Sequence, residues 1–187
     1  EVRALSYLAI LQLARRNIAE ALAKCDEALP LTRKRGDAVS EARVLGTIGG
    51  VYFEDGKAEL AEAFFVEAQA RCESVGEQRL RGYFQARQGL ARLEQGQVDL
   101  ARKSLELAAS TLSEVGDLRH EGLVLSYLGT LEARAGRQDA ALVSFSAAQS
   151  RLDSVKDPLL LTTQALRKME AEVRLRATDE DVEMLGA

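Results

Sequence analysis

Between Leu45 and Ala68 the apolar and small residues fall in two runs at helical spacing. Leu45, Ile48, Gly49 and Tyr52 form the first, Ala61, Phe65 and Ala68 the second, and Gly56 stands between them. Two stripes of this kind joined by a glycine turn predict two packed antiparallel helices. The pattern recurs along the chain at a fixed step of 40 residues, which is the mark of a repeat architecture. In the first helix of each pair the small residue recurs as Ala9, Gly49, Gly89 and Gly129. The second helix carries Ala21, Ala61, Ala101 and Ala141, then Cys25, Phe65, Leu105 and Phe145, then Ala28, Ala68, Ala108 and Ala148. A glycine inside a helix costs roughly 1 kcal/mol against alanine, so close approach of the paired helix is the expected compensation.

The punctuation keeps the same step. Gly36, Gly76 and Gly116 end successive pairs, with Lys156 next, and each is followed by an acid, Asp37, Glu77, Asp117 and Asp157. Glycine takes the left-handed conformation that stops a helix, and the following carboxylate accepts bonds from the free amides of the next. Pro158 suits a first helical turn, where its missing N–H is not needed. The turns within pairs fall at Gly56, Gly96 and Gly136, with Arg16 in the corresponding place of the first unit.

Composition sharpens this picture more than it changes it. Abundant Ala, Leu, Glu, Gln and Arg with only two prolines favour helix throughout, and the fold class expected is all-α. Aromatic residues make up 5% and tryptophan is absent, so the core should pack on small aliphatic groups. The net charge of −4 offers no bulk attraction to nucleic acid, and no apolar run approaches the ~20 residues of a membrane span. The expected setting is cytoplasmic, with neither nucleic acid nor membrane as a direct partner. Cys25 and Cys72 fall at core places of the repeat and read as small buried residues.

The order large residue, Leu-Gly, Tyr, Gly, Ala, Phe, Ala resembles the tetratricopeptide repeat. Leu45, Ile48-Gly49, Tyr52, Gly56, Ala61, Phe65 and Ala68 carry it best, and Leu125, Leu128-Gly129, Gly136, Ala141, Phe145 and Ala148 follow closely. No tryptophan opens a unit, Arg92 and Glu132 replace the tyrosine, and the usual late proline is absent. The period of 40 exceeds the family's usual 34 and is similar to the long repeats of kinesin light chains, Leu-Gly-Asn-repeat adaptors and bacterial signal-responsive transcription activators. The resemblance implies a right-handed superhelical solenoid whose first helices line an inner surface that binds peptides or helices.

One array is expected over 1–187, with units at 1–37, 38–77, 78–117, 118–157 and a partial fifth at 158–187. In that fifth unit Pro158 to Arg176 reads as a first helix and Thr178 to Asp181 as the capped start of its partner, while the acidic stretch Asp179 to Glu183 reads equally as a solvated tail. Four and a half units with cut ends suggest a segment of a longer protein.

The inventory for catalysis is thin. His120, the only histidine, reads as an exposed first-turn side chain. No metal or phosphate-loop motif appears, and no cofactor is expected. Gly46, Gly49 and Gly50 lack the strand and the Lys-Ser/Thr of a phosphate cradle, and Arg35-Gly36-Asp37 is absorbed by the helix stop and start. Glu59, Glu62, Glu170 and Glu172 read as solvated charges.

By the resemblance, inner positions are Arg3, Ser6, Ile10 and Leu13; Arg43, Gly46, Gly50 and Phe53; Tyr83, Ala86, Leu90 and Leu93; and Leu123, Ser126, Thr130 and Ala133. The third unit is inverted, with Gln85, Gln88 and Arg92 in core slots and Tyr83, Leu90 and Leu93 in groove slots. Either its helix is turned by about one residue, so that Ala86, Gly89, Leu90 and Leu93 face the partner helix, or Phe53, Tyr83, Leu90 and Leu93 form an apolar floor rimmed by Arg43, Glu54, Glu94 and Arg134. That floor and rim are the candidate partner-binding groove. The expected function is a non-enzymatic protein-interaction module, the repeat region of a larger bacterial regulatory or signalling protein. The alternatives are a peptide or small-ligand sensor of a transcription regulator and a scaffold that self-associates as a homodimer through the solenoid ends.

Overall fold

A computed structural model describes residues 1–185, with side chains through Leu175. Among the described residues there are nine helices and no strand: α1 (Val2–Ala14), α2 (Ile18–Arg35), α3 (Ala38–Glu54), α4 (Ala58–Ser74), α5 (Gln78–Glu94), α6 (Val98–Glu114), α7 (Leu118–Arg134), α8 (Gln138–Val155) and α9 (Pro158–Leu185). The all-α expectation holds, and the helix boundaries fall at the glycines of the 40-residue step. Gly36, Gly56, Gly76, Gly96, Gly116 and Gly136 all have φ between 63° and 75°, and Arg16 and Lys156 take the same left-handed conformation in the places where glycine is missing. The caps follow. Asp37 accepts from the Ser40 amide at 2.9 Å, Asp117 from His120 at 3.2 Å and Asp157 from Leu159 at 3.0 Å. The bond from Ser40 holds the Asp37 carboxyl below the usual carboxylate range.

The chain divides into two compact units, Glu1–Ser104 and the residues from Leu105 onward. In the first, Val2, Ala9, Cys25, Ala28, Val44 and Ile48 form one buried cluster. Ala42, Leu45, Ala61, Phe65, Ala68, Cys72, Phe84 and Ala91 form another, and Tyr52 and Phe64, stacked at 5.5 Å, pack against both. In the second, Ala133, Ala141 and Phe145 pack with Ala171 and Leu175 of α9.

The helical glycines are filled by rings. A Cβ at Gly49 would lie 2.7 Å from Phe65 Cε1, and one at Gly129 would lie 2.8 Å from the Phe145 ring. In these two pairs, α3 with α4 and α7 with α8, the glycine of the first helix receives the phenylalanine of its paired second helix. The close approach expected from sequence is therefore ring against backbone.

A charged repeat accompanies the apolar one. Buried Glu41 of α3 meets Arg33 of α2 at 2.9 Å and Arg71 of α4 at 3.5 Å, and two periods later buried Glu121 meets Arg151 at 2.9 Å. Composition alone did not mark these pairs, because Glu and Arg also dominate the exposed faces.

Three expectations need correction. α9 runs without a break through Leu185, so Arg176 and Thr178 to Asp181 lie within one helix and do not start another, and the same continuity replaces the tail reading for those residues. The turn position, Gly56, Gly96 and Gly136 in earlier units, is Arg176 here, and no glycine stops the helix. Met169, exposed, also stands where Gly49 and Gly129 admit a ring, so α9 lacks the notch that seats a paired helix. His120 is half-buried, its Nδ1 2.9 Å from Asp117 Oδ2, because the side chain folds back onto its own cap. Glu172 is half-buried and lies 3.9 Å from Lys168 Nζ, one helical turn away, while Glu170 and Glu59 are exposed as expected.

Pro30 lies inside α2, where it removes one backbone donor from the ladder. Its ring is exposed, and the equivalent residues are Ala70, Ser110 and Ser150. An interior proline costs about 3 kcal/mol against alanine. Pro30→Ala should raise the melting temperature, with a gain of about 1–3 kcal/mol in chemical denaturation; an unchanged or lower midpoint would show that the proline fits a local distortion of α2.

Cys25 and Cys72 are free and buried, and burial pushes their thiols up to about 12 and about 11. Neither should react with a thiol-specific disulfide reagent at pH 7 within the time that unfolded chain reacts fully. Rapid titration of either thiol in the folded protein would contradict this.

Candidate functional site

The candidate site begins with three first helices of the first unit. α3 and α5 touch directly, since Phe84 rests on Gly46, where a Cβ would lie 2.1 Å from its Cε1, and Arg87 lies beside Gly50. On these helices the exposed residues step by four, three and four. They are Arg3, Tyr7, Ile10 and Ala14 on α1; Arg43, Thr47, Gly50 and Glu54 on α3; and Tyr83, Arg87, Leu90 and Glu94 on α5, exposed or half-buried. Two of the four positions per helix differ from the expected inner set by one residue. Ala86 is buried and Gly46 is covered by Phe84, so these are packing positions. In the second unit Ser126 and Ala133 are buried as well.

Each residue of the expected groove has a definite place. Arg43 is exposed on α3. Phe53 is half-buried against the second cluster, with the Arg87 guanidinium 5.1 Å from its ring centroid. Glu54 is exposed, 3.9 Å from Arg16. Tyr83 is 39% exposed and meets Phe84 edge to face at 5.4 Å. Leu90 and Leu93 are half-buried, and Glu94 is exposed at the end of α5. Arg134, exposed, ends α7 and belongs to the second unit. Within the first unit, then, Phe53, Tyr83, Leu90 and Leu93 lie on adjoining helices, with Arg87 among them. Arg87 and Tyr7 escaped the sequence reading because the repeat pattern was projected onto the face one residue too early; the signal for Arg87 was its place one turn after Tyr83.

The inverted pattern of the third unit has a clear physical cause. α5 is not turned. Its buried residues Gly82, Phe84, Gln85, Gln88, Gly89 and Ala91 match Ala42, Val44, Leu45, Ile48, Gly49 and Val51 of α3 position by position. Gln88 and Arg92 stay in core slots because α4 supplies polar partners. Arg92 Nε donates to Glu62 Oε1 at 2.6 Å, Gln88 Nε2 to the same oxygen at 3.2 Å, and Gln95 Nε2 to Glu62 Oε2 at 2.9 Å. Gln69 bonds Gln88 at 3.0 Å, and Arg92 NH1 reaches Ser104 Oγ at 2.7 Å. Glu62 is therefore no solvated charge. Burial works to raise its pKa, but the bonds from Gln95, Arg92 and Gln88 prevail and hold it below the usual carboxylate range.

The second unit has a shallow polar cleft of about 480 Å³ between α8 and α9, lined by Ser146, Gln149, Ser150, Asp153, Gln164 and Lys168. Among the described residues no group of His, Cys, Asp and Glu is arranged to hold a metal, and no helix is long and apolar enough to cross a membrane.

Residues 1–74 match the tetratricopeptide-repeat family model. No curated protein matches the chain. Among solved structures, aspartyl phosphate phosphatase F from Bacillus subtilis is similar over 98% of this chain and 47% of its own, at 14% identity and a TM-score of 0.85. A Rap protein in complex with Competence and Sporulation Factor is similar over 97% of this chain and 56% of its own, at 15% identity and a TM-score of 0.79. The signal-transduction ATPase PH0952 from Pyrococcus horikoshii, which has a tetratricopeptide repeat sensor, is similar over 97% of this chain and 28% of its own, at 18% identity and a TM-score of 0.79. The chain thus spans about half the length, or less, of these relatives. The tetratricopeptide-repeat model thus covers the first two helix pairs, and the chain shares the all-α helical-repeat fold of these solved structures.

Proposed function

We propose that the chain is a non-enzymatic protein-interaction module of a larger bacterial regulatory or signalling protein, and that it takes a peptide or helix across the face of α1, α3 and α5. The observation that carries this reading is the run of Tyr7, Ile10, Tyr83 and Leu90 along that face, beside half-buried Phe53 and interspersed with Arg3, Arg43 and Arg87. Exposed apolar groups set among charges mark interaction surfaces, and aromatic and arginine side chains supply most of the energy at such surfaces. The similarity to a Rap protein solved with a bound factor and to a repeat sensor supports the regulatory setting. Selection of a displayed random dodecapeptide library on the immobilised chain tests it. The wild type should enrich a family of peptides, and Tyr83→Ser with Leu90→Ser should abolish that enrichment while the helical melt stays in place. No enrichment over bare resin, or the same peptides on the double variant, would overturn the reading.

A second reading, self-association, is favoured by exposed Leu159, Leu166, Met169 and Val173 of α9. Light scattering that rises to the mass of a dimer with concentration, and falls back when Leu166 and Met169 become serine, would establish it.

A further inference from the structure

The polar cleft between α8 and α9 differs in kind from the same place three periods earlier. There, between α2 and α3, Leu29, Val44 and Ile48 pack together with Phe64 of α4 in an apolar cluster. At the same three positions the second unit has Gln149, Gln164 and Lys168, and all three line the cleft. The position of Gln164 is apolar in every other unit, as Ala4, Val44, Phe84 and Val124. Gln164 itself is 1% exposed. Its Nε2 donates to the Phe145 carbonyl at 3.2 Å, and its Oε1 is buried with no hydrogen-bond partner among the described residues. A stranded buried acceptor lowers stability, so this oxygen calls for a donor that the chain does not itself supply. The rest of the lining is also left open. Ser144 and Ser154 on α8 bond back to carbonyls of their own helix at 2.9 and 3.1 Å, but the hydroxyls of Ser146 and Ser150, which line the cleft, make no such bond among the described residues. Asp153 uses one oxygen, accepting from Gln149 Nε2 at 2.7 Å, and Lys168 Nζ stands 3.9 Å from Glu172, beyond hydrogen-bond reach.

We propose that this cleft binds a small neutral polyhydroxylated compound, a sugar or sugar alcohol of one or two rings. The lining sets that chemistry. Gln164 Oε1 and the free oxygens of Asp153 and Gln149 only accept, Lys168 only donates, and Ser146 and Ser150 do both. A hydroxyl group donates and accepts, so it satisfies every one of these partners. An anion would be repelled by Asp153 and a cation by Lys168, and the two charges cancel, so neither kind of ion is favoured. The size agrees, since Ser146 and Asp153 stand two turns apart on α8, about 10 Å, beside a cleft of about 480 Å³. The site belongs to the second unit and does not depend on the peptide reading of α1, α3 and α5.

Saturation-transfer NMR on the full chain tests this with glucose, ribose, trehalose and myo-inositol, and with spermidine and citrate as charged probes. At least one of the four neutral compounds should receive saturation, and neither charged one should. Gln164→Leu should weaken that binding at least tenfold and, by removing the stranded acceptor, raise the melting temperature of the free chain. A residue whose loss costs binding but adds stability is placed for the ligand and not for the fold. Ser150→Leu is the independent variant: it leaves Gln164 in place, fills the cleft from the exposed side of α8, and should abolish binding with the melt unchanged. Silence from all four neutral compounds, an equal or stronger response from spermidine or citrate, or binding of unchanged strength in either variant would overturn the assignment.

Discussion

Gly49→Leu should destabilise the first unit by about 2–4 kcal/mol, and Phe65→Ala by about 3–5 kcal/mol, yet the double variant should lose less than the sum by at least ~1 kcal/mol. The first change puts a branched side chain where even a Cβ would lie 2.7 Å from Phe65 and 3.2 Å from the Ala61 carbonyl oxygen. Neither can yield freely, since Phe65 is fully buried and the carbonyl belongs to the facing helix. The gain of about 1 kcal/mol in helix propensity on replacing glycine is outweighed by overpacking. The second change empties the notch, and a cavity of ring size costs several kcal/mol. Together they exchange which helix fills the gap, because the leucine occupies part of the space the ring leaves. Chemical denaturation of the four proteins measures the coupling. Simple additivity would mean that glycine and ring are not one packing unit, and the same account would then fail for Gly129 and Phe145.

The second large effect lies at the seam of α4 and α5. Glu62→Ala should cost about 2–4 kcal/mol, because it leaves Arg92 and Gln88 partly buried without their acceptor. Replacing the set by apolar groups should recover most of that loss: with Glu62→Ala, Gln88→Leu and Arg92→Tyr, the last matching Tyr52 one period earlier, the guanidinium and the buried amide are gone, Gln95 keeps the Ala91 carbonyl, and only half-buried Gln69 loses its acceptor. If the triple variant is as unstable as Glu62→Ala, the seam depends on the network itself and not on the satisfaction of its members. The sign of the pH dependence follows from the lowered pKa of Glu62. Its contribution is present in full above the unfolded carboxyl value and is lost as the pH falls through the lower folded one, so the stability difference between wild type and Glu62→Gln should shrink on acidification below about pH 4.5. A difference that persists unchanged to pH 2 would show that Glu62 is not ionised in the folded chain.

The proposals about function rest on less of the sequence than the fold does. Of the expected groove, Tyr83, Leu90 and Leu93 were picked out because their unit departs from the repeat, and with Phe53 they lie on adjoining helices. Arg87 was not found, because on a single helix it is one charged residue among several. What singles it out is the pair of rings from α3 and α4 beneath it and the absence of an acid beside it, both of which depend on other helices. Glu62 failed as a sequence reading for the same reason. A glutamate four residues before Val66 on an outward-looking stripe reads as solvated until Gln88, Arg92 and Gln95 of α5 are placed against it.

The step of 40 residues, the glycine stops, the acidic caps and the alternation of small and large core positions were legible in the chain by itself, because each is a local rule in which a residue's role depends on neighbours within one or two turns. They determined the eight helices of the first four units, with their boundaries; in the fifth unit the missing glycine at Arg176 let α9 run on. Only the tertiary structure decided which polar residues are buried and paired, which glycine holds a ring and which stays open, and which of two adjacent helix positions faces outward. Those depend on contacts between helices separated by 10 to 30 residues, as for Arg92 with Ser104 and with Glu62, and a one-residue change of phase on a helix turns a side chain by ~100°.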